Sequence, residues 1–160
     1  MMRFMRKNKS VLRSFGHAFE GLWYALRHER NLRFHLVITA LIMLFGWGYG
    51  LERHEWGMLV LSILFVILSE LVNSAVEYAV DTASSEWSKT AKAAKDAAAA
   101  VPLTAAVGSL IVGCVLFLDP PRIWAALVKL FTTPASFAIG AVLVIGGTIF
   151  IVQGGAKDDD

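Results

Sequence analysis

The chain has 160 residues, a formal net charge of +2, and is 56% apolar with a mean hydropathy of +0.58. Soluble domains are usually ~45–50% apolar, so an ordinary water-soluble globule is excluded; the excess lies in long runs of the kind that cross bilayers. The lone Cys114 excludes a disulfide within the chain and, inside an apolar run, is expected to be a buried packing thiol.

Residues 1–33 carry eight basic side chains: Arg3, Arg6, Lys7, Lys9, Arg13, Arg27, Arg30 and Arg33. Within them Phe15, Phe19, Leu22, Trp23 and Leu26 recur at helical spacing, with Arg13, His17, Glu20, Tyr24 and Arg27 on the other side. The pattern over residues 11–33 predicts an amphipathic helix lying on a membrane surface. Its apolar residues are spaced rather than run together, and no small-residue cleavage site follows, so no secretory signal is expected.

Four apolar stretches follow, at residues 34–51, 56–80, 97–118 and 135–152. A helical span needs ~20 residues at ~1.5 Å rise each. The second and third have that length with margin, and the first and fourth are near its lower limit. Gly46, Gly48 and Gly50 lead into a short polar turn, Glu52-Arg53-His54-Glu55. The glycines read as helix packing and termination rather than a phosphate loop, because no strand precedes them. Residues 81–96 form a longer polar connection, in which Ser84 and Ser85 are candidates to cap a helix near Glu86. Asp119-Pro120-Pro121 stops the third span, Thr132-Thr133-Pro134 opens the fourth, and Pro102 is a candidate kink.

Lys89, Lys92 and Lys95 sit in the second connection, whereas the first turn has only Arg53. By the positive-inside rule the N-terminus and residues 81–96 face the cytoplasm. Three segments are expected: a surface helix at 1–33, a three-span core at 34–118, and a linker, fourth span and tail at 119–160. The fold class is an all-α, multi-pass protein of the inner (cytoplasmic) membrane.

The second span carries chemistry. Glu70, Asn73, Glu77 and Asp81 are offset by 3, 7 and 11 residues. At ~100° per residue they share one helix face within roughly 80°. A charged residue at the centre of a span costs ~2.5–3.5 kcal/mol on insertion scales, so three acids in register need a counterpart. No Lys or Arg lies within the four apolar stretches. A divalent cation is one candidate, since Mg²⁺ typically joins one or two carboxylates to substrate phosphates. For Glu70, the deepest acid, proton acceptor and metal ligand both stay open. The lysines beside the stripe offer cations to a phosphate, Lys95-Asp96 foremost. An ion- or proton-conducting protein is the rival from another class; the crowding of the acids at one end of one helix weighs against it. His17, His28, His35 and His54 form no ligand cluster in sequence and read as interface polarity. No hydrolase constellation and no Walker or protein-kinase glycine motif is present, and no nucleic-acid partner is expected.

Glu70-Leu71-Val72-Asn73-Ser74-Ala75-Val76-Glu77 resembles the E-x-x-N-[ST]-A-[IV]-E signature of the small bacterial diacylglycerol kinase and undecaprenol kinase family. Further matches are Gly21-Leu22, Glu29, Asn31 and Arg33, then Asp81, Glu86 and Ala94-Lys95-Asp96, so the likeness covers roughly residues 13–118. The run from His28 to His35 and the pair Glu55-Trp56 bring it closer to the undecaprenol kinase type. The resemblance implies ATP and Mg²⁺, a lipid alcohol as acceptor (undecaprenol ahead of diacylglycerol), and a homotrimer with active sites shared between subunits. It implies that Glu70 is the general base and that Glu29 and Glu77 hold the metal. Asn73, Glu86, Lys95, Asp96 and His17 would contact nucleotide or phosphate, with Asp81 in support. The sequence departs from the family in its fourth span, in the alanine run 97–100 followed by Pro102, and in having His17 where an aromatic residue is common.

Overall fold

The computed structural model describes residues 2–83 and 88–153, and these are helical with no strand among them. The elements are α1 Met2–His28, α2 Arg30–Tyr49, α3 Arg53–Ala83, α4 Lys89–Phe117, α5 Pro120–Thr132 and α6 Pro134–Gln153. α2, α3, α4 and α6 are each long and apolar enough to cross a membrane, so the chain is a multi-pass membrane protein.

Local chemistry sets the breaks. Glu29 adopts extended backbone between α1 and α2, so the amphipathic helix ends at His28, and Arg30 to Arg33 are the first turn of the first span rather than the end of a surface helix. α2 stops where Gly50 takes the left-handed conformation (φ 75°), its N–H bonding to Gly46 O at 3.0 Å. A residue with Cβ would be strained there. The cap of α4 is Ser88, whose hydroxyl accepts from Ala91 N at 3.0 Å; Ser84, Ser85 and Glu86 lie outside the described residues. α4 continues through Pro102 as one helix.

The segment after Leu118 is not a plain linker. Asp119 accepts from Arg122 N at 3.2 Å and Pro120 occupies the first helical turn. That is a start signal, because proline's missing N–H would have had no partner at that position anyway. The resulting α5 is amphipathic and returns the chain to α6.

α3 and α4 pack most extensively on each other, and α2 packs on α3, α5 and α6. Glu29, Asp81 and Lys95 define one end of the bundle, here the near end; Gly50 and α5 define the far end. α6 runs antiparallel to α2, and its glycines bring the two backbones together. A Cβ on Gly147 would lie 2.5 Å from Val37 Cγ1, and one on Gly140 would lie 3.7 Å from Leu44 Cδ2. The two contacts are seven residues apart on both helices, the repeat of a packed helix seam. At the far end Tyr49, Leu51, Leu59, Leu116 and Ala126 form the buried cluster. Cys114, expected to be buried, is exposed on α4. In a span the outward side is as apolar as the inward one, so an apolar run does not say which way a thiol points.

Candidate active site

The polar face of α3 turns inward, as its register requires. Ser69, Glu70, Asn73 and Ser74 are buried, Glu77 and Tyr78 are half-buried, and Asp81 emerges at the near end. From Glu70 to Asp81 the stripe covers ~16 Å of helix. Ser69 and Ser74 satisfy their hydroxyls on the carbonyls of Val66 (2.7 Å) and Glu70 (3.0 Å) and so add no free donor.

Each member of the stripe meets a different partner. Glu70 Oε1 lies 3.1 Å from His35 Nε2 on α2. Asn73 donates from Nδ2 to Glu77 Oε1 at 2.9 Å, while its buried Oδ1 has no hydrogen-bond partner. Tyr78 donates its hydroxyl to Glu29 Oε1 at 2.5 Å. Glu29 is the N-cap residue of α2, yet its carboxylate makes no cap bond. A capping position normally spends its side chain on its own helix; here the carboxylate is turned toward α3. Asp81 forms an ion pair with Lys95 of α4.

Two members of the stripe therefore find their partners on other helices. His35 serves Glu70, and Lys95 serves Asp81. Among the described residues Glu77 is paired with a neutral amide, that of Asn73. His35 is a residue of this site that the sequence reads only as interface polarity. Its partner lies 35 residues away, and a lone histidine in an apolar run carries no sign of what it faces.

Arg33 fixes where α1 meets this site. It is buried, and its Nη1 donates to the carbonyls of Leu26 (3.0 Å) and Arg27 (2.7 Å). These carbonyls belong to the last turn of α1, which has no helical donors left for them and where a cation is favoured by the helix dipole. Tyr24 of α1 stacks on His28 and meets Tyr78 edge-on. The outer face of α1, including Leu12, Phe15, Phe19 and Trp23, is exposed.

The structure thus gathers Glu29, Glu70, Asn73 and Glu77 on or against one face of α3. Lys95 and Asp96 stand at the near end of α4, where Asp96 pairs with Lys92 rather than with Lys95. His17 is well exposed and pairs with Glu20 at 3.2 Å. Among the described residues no group of three or more His, Cys, Asp or Glu side chains is gathered as a metal cage. The donor set does fit a hard cation that keeps open positions: two carboxylates and a buried amide oxygen without a donor, all oxygens.

Below His35 a cavity of about 590 Å³ opens where α2 and α4 flank α3. Its walls are almost wholly apolar, from Phe34 and His35 at the site to Phe45, Leu59 and Phe117 at the far end. Along α2 this is ten residues, ~15 Å.

The family model for prokaryotic diacylglycerol kinase matches residues 16–117. An undecaprenol kinase of Bacillus subtilis is 39% identical over 106 residues, 66% of this chain and 86% of that protein. A diacylglycerol kinase of Synechocystis is 38% identical over 122 residues, 72% and 70% of the two chains. A diacylglycerol kinase of Escherichia coli K12 is 27% identical over 106 residues, 66% and 87%. No solved structure matches. The octapeptide from Glu70 to Glu77, set in a multi-pass helical bundle, accordingly marks the chain as a member of the prokaryotic diacylglycerol kinase family and as an ATP-dependent membrane lipid kinase.

Proposed function

We infer that the chain phosphorylates a long-chain lipid alcohol, undecaprenol ahead of diacylglycerol, with Mg·ATP as donor at the cytoplasmic face of the membrane. The observation that carries the reading is the continuity of a buried carboxylate with an apolar cavity. Glu70 is hydrogen-bonded to His35, and His35 lines the cavity. A lipid alcohol whose tail occupies the cavity presents its hydroxyl to Glu70. The preference for undecaprenol rests on the Bacillus subtilis relative and on the motifs shared with that type.

Glu70 takes the hydroxyl proton as the alcohol oxygen bonds to the γ-phosphorus of ATP and the bond from that phosphorus to the β–γ bridging oxygen breaks, releasing ADP, while His35 holds the carboxylate in the required rotamer. General-base help of this kind is worth about 10²–10⁴-fold. Glu29 and Glu77 would hold Mg²⁺, and the unpartnered Asn73 Oδ1 would offer a further oxygen. When bound, the ion neutralises phosphate charge and aligns the phosphoryl group. Lys95 turns from its pairing with exposed Asp81 toward the transferred group, a change with little cost for a solvent-exposed pair. Asn73, Glu86, Asp96 and His17 complete the nucleotide contacts, and Asp81 supports them. Glu86 lies outside the described residues. α1 rests on the cytoplasmic surface of the bilayer through its exposed apolar face, residues 34–118 form the catalytic core, and residues 119–160 are an addition to it. The assembly is a homotrimer with shared sites.

The test is purified chain in lipid with Mg²⁺, labelled ATP, and undecaprenol or diacylglycerol. Transfer of label to undecaprenol in preference supports the reading. Preference for diacylglycerol overturns the acceptor, and no labelled lipid from either overturns the kinase assignment.

A further inference from the structure

The family match ends at residue 117, and α5 begins three residues later. Phe45, Leu59 and Phe117 form the far wall of the cavity and also pack in the buried cluster to which α5 contributes Ala126 and Ile123. Ala126 has no exposed surface at all. Phe45 and Phe117 meet edge-on with ring centroids 5.2 Å apart, and Tyr49 lies behind both, at 5.9 and 5.1 Å. Arg122 of α5 then locks Tyr49. Its guanidinium carbon lies 4.2 Å from the centre of that ring, while Nη2 donates to Gly50 O (3.3 Å) and to Glu55 Oε2 (3.5 Å). Lys129, two turns further on, sits 4.0 Å from the centre of the Trp47 ring. Two cations on α5 are thus fastened to two aromatic rings at the end of α2, and the ring cluster closing the cavity rests on α5.

We propose that α5, acting through Tyr49 on Phe45 and Phe117, is a stop that sets the usable depth of the tail-binding cavity and so makes the enzyme selective for the length and shape of the lipid alcohol's tail. The proposal rests on the kinase reading and names a determinant of its specificity. The physics is steric. A tail entering from the bilayer gains almost nothing from hydrophobicity, because lipid chains are as apolar as the cavity wall. Discrimination comes from packing, which is short-ranged and strong once a tail meets a wall that cannot yield. Tail atoms within the ~15 Å between His35 and Phe45 are held by the cavity; atoms beyond it must turn aside at Phe45 and Phe117. Phe45, Phe117 and Tyr49 are specificity-determining residues in this scheme, and Arg122 is a positioning residue that touches no reactant.

The experiment uses the full chain in nanodiscs and a series of prenols from short to long, with kcat/KM measured for each. In the unsubstituted chain kcat/KM should change steeply with length up to tails that fill the cavity and level off beyond. Arg122→Gln frees Tyr49, and Phe117→Leu shortens the stop directly. Each should shift the long-to-short ratio of kcat/KM by about tenfold, with the KM for Mg·ATP unchanged. A photoreactive group placed ~15 Å along the tail should label α2 or α4 near Phe45 or Phe117, and the label should move to α5 in Phe117→Leu. Variants that keep the thermal unfolding midpoint and the unaltered length ratio overturn the stop while leaving the kinase reading intact. Absence of turnover with every alcohol in the unsubstituted chain overturns both.

Discussion

Replacing Glu70 and His35 singly and together tests the proton acceptor and its holder. Glu70→Gln preserves side-chain volume and keeps an oxygen within reach of His35 Nε2, now 3.1 Å from the carboxylate. The amide cannot take a proton, so kcat should fall by about 10²–10⁴-fold while Mg·ATP still binds. His35→Leu fills a similar volume in the cavity wall but removes the donor. A hydrogen bond to a charged group is worth ~1.5–3 kcal/mol, and each ~1.4 kcal/mol is a factor of ten in rate. The variant should therefore lose roughly 10- to 100-fold in kcat. Because His35 acts only through Glu70, the double variant should be nearly as slow as Glu70→Gln alone. Steady-state lipid phosphorylation, with nucleotide affinity measured separately, reads all four corners of the cycle. Full turnover in Glu70→Gln would refute the base, and a double variant slowed by the product of the single effects would refute the coupling.

Lys95→Gln should change stability by less than about 1 kcal/mol, since its partner Asp81 is exposed, yet lower turnover roughly 10²-fold; equal and small effects on unfolding and turnover would remove Lys95 from the chemistry. Glu77→Gln should raise the Mg²⁺ concentration for half-maximal activity by about tenfold or more, and an unchanged titration would reject its ligand role. Arg33→Met leaves the carbonyls of Leu26 and Arg27 without their donor and should cost ~2–3 kcal/mol, seen as a lower unfolding midpoint and faster proteolysis within α1; a protease-resistant α1 would contradict this. Gly147→Leu drives a side chain into Val37 and should cost ~1–3 kcal/mol through displacement of α6, measured by thermal unfolding in lipid.

Much of this protein is legible in its sequence because a bilayer demands long apolar helices, and the inward face of α3 had to be written in three acids and one amide, three, four and four residues apart. The start of α4 and the end of α2 follow from one serine and one glycine. Other features depend on partners that one-dimensional spacing does not reveal. His35 becomes meaningful only when α2 and α3 pack and place it on Glu70. That the carboxylate of Glu29 leaves its own helix uncapped and accepts from Tyr78 shows only when another helix arrives. α5 was concealed by ambiguity, since Asp119-Pro120-Pro121 ends one helix and begins the next with the same three residues. Cys114 was misplaced because the usual link between apolar and interior fails when the solvent is hydrocarbon.

The glycine contacts between α6 and α2 also restrict how copies of this chain can meet. Val37 and Leu44 are covered by Gly147 and Gly140 of their own polypeptide, so that flank of the first span is closed to any neighbouring subunit. Association is left to surfaces elsewhere, and α3 and α4 present Leu61, Phe65, Leu103 and Leu110 outward. Deleting residues 119–160 would open a flank that the intact chain keeps to itself, so a shortened form need not assemble with the same geometry as the whole.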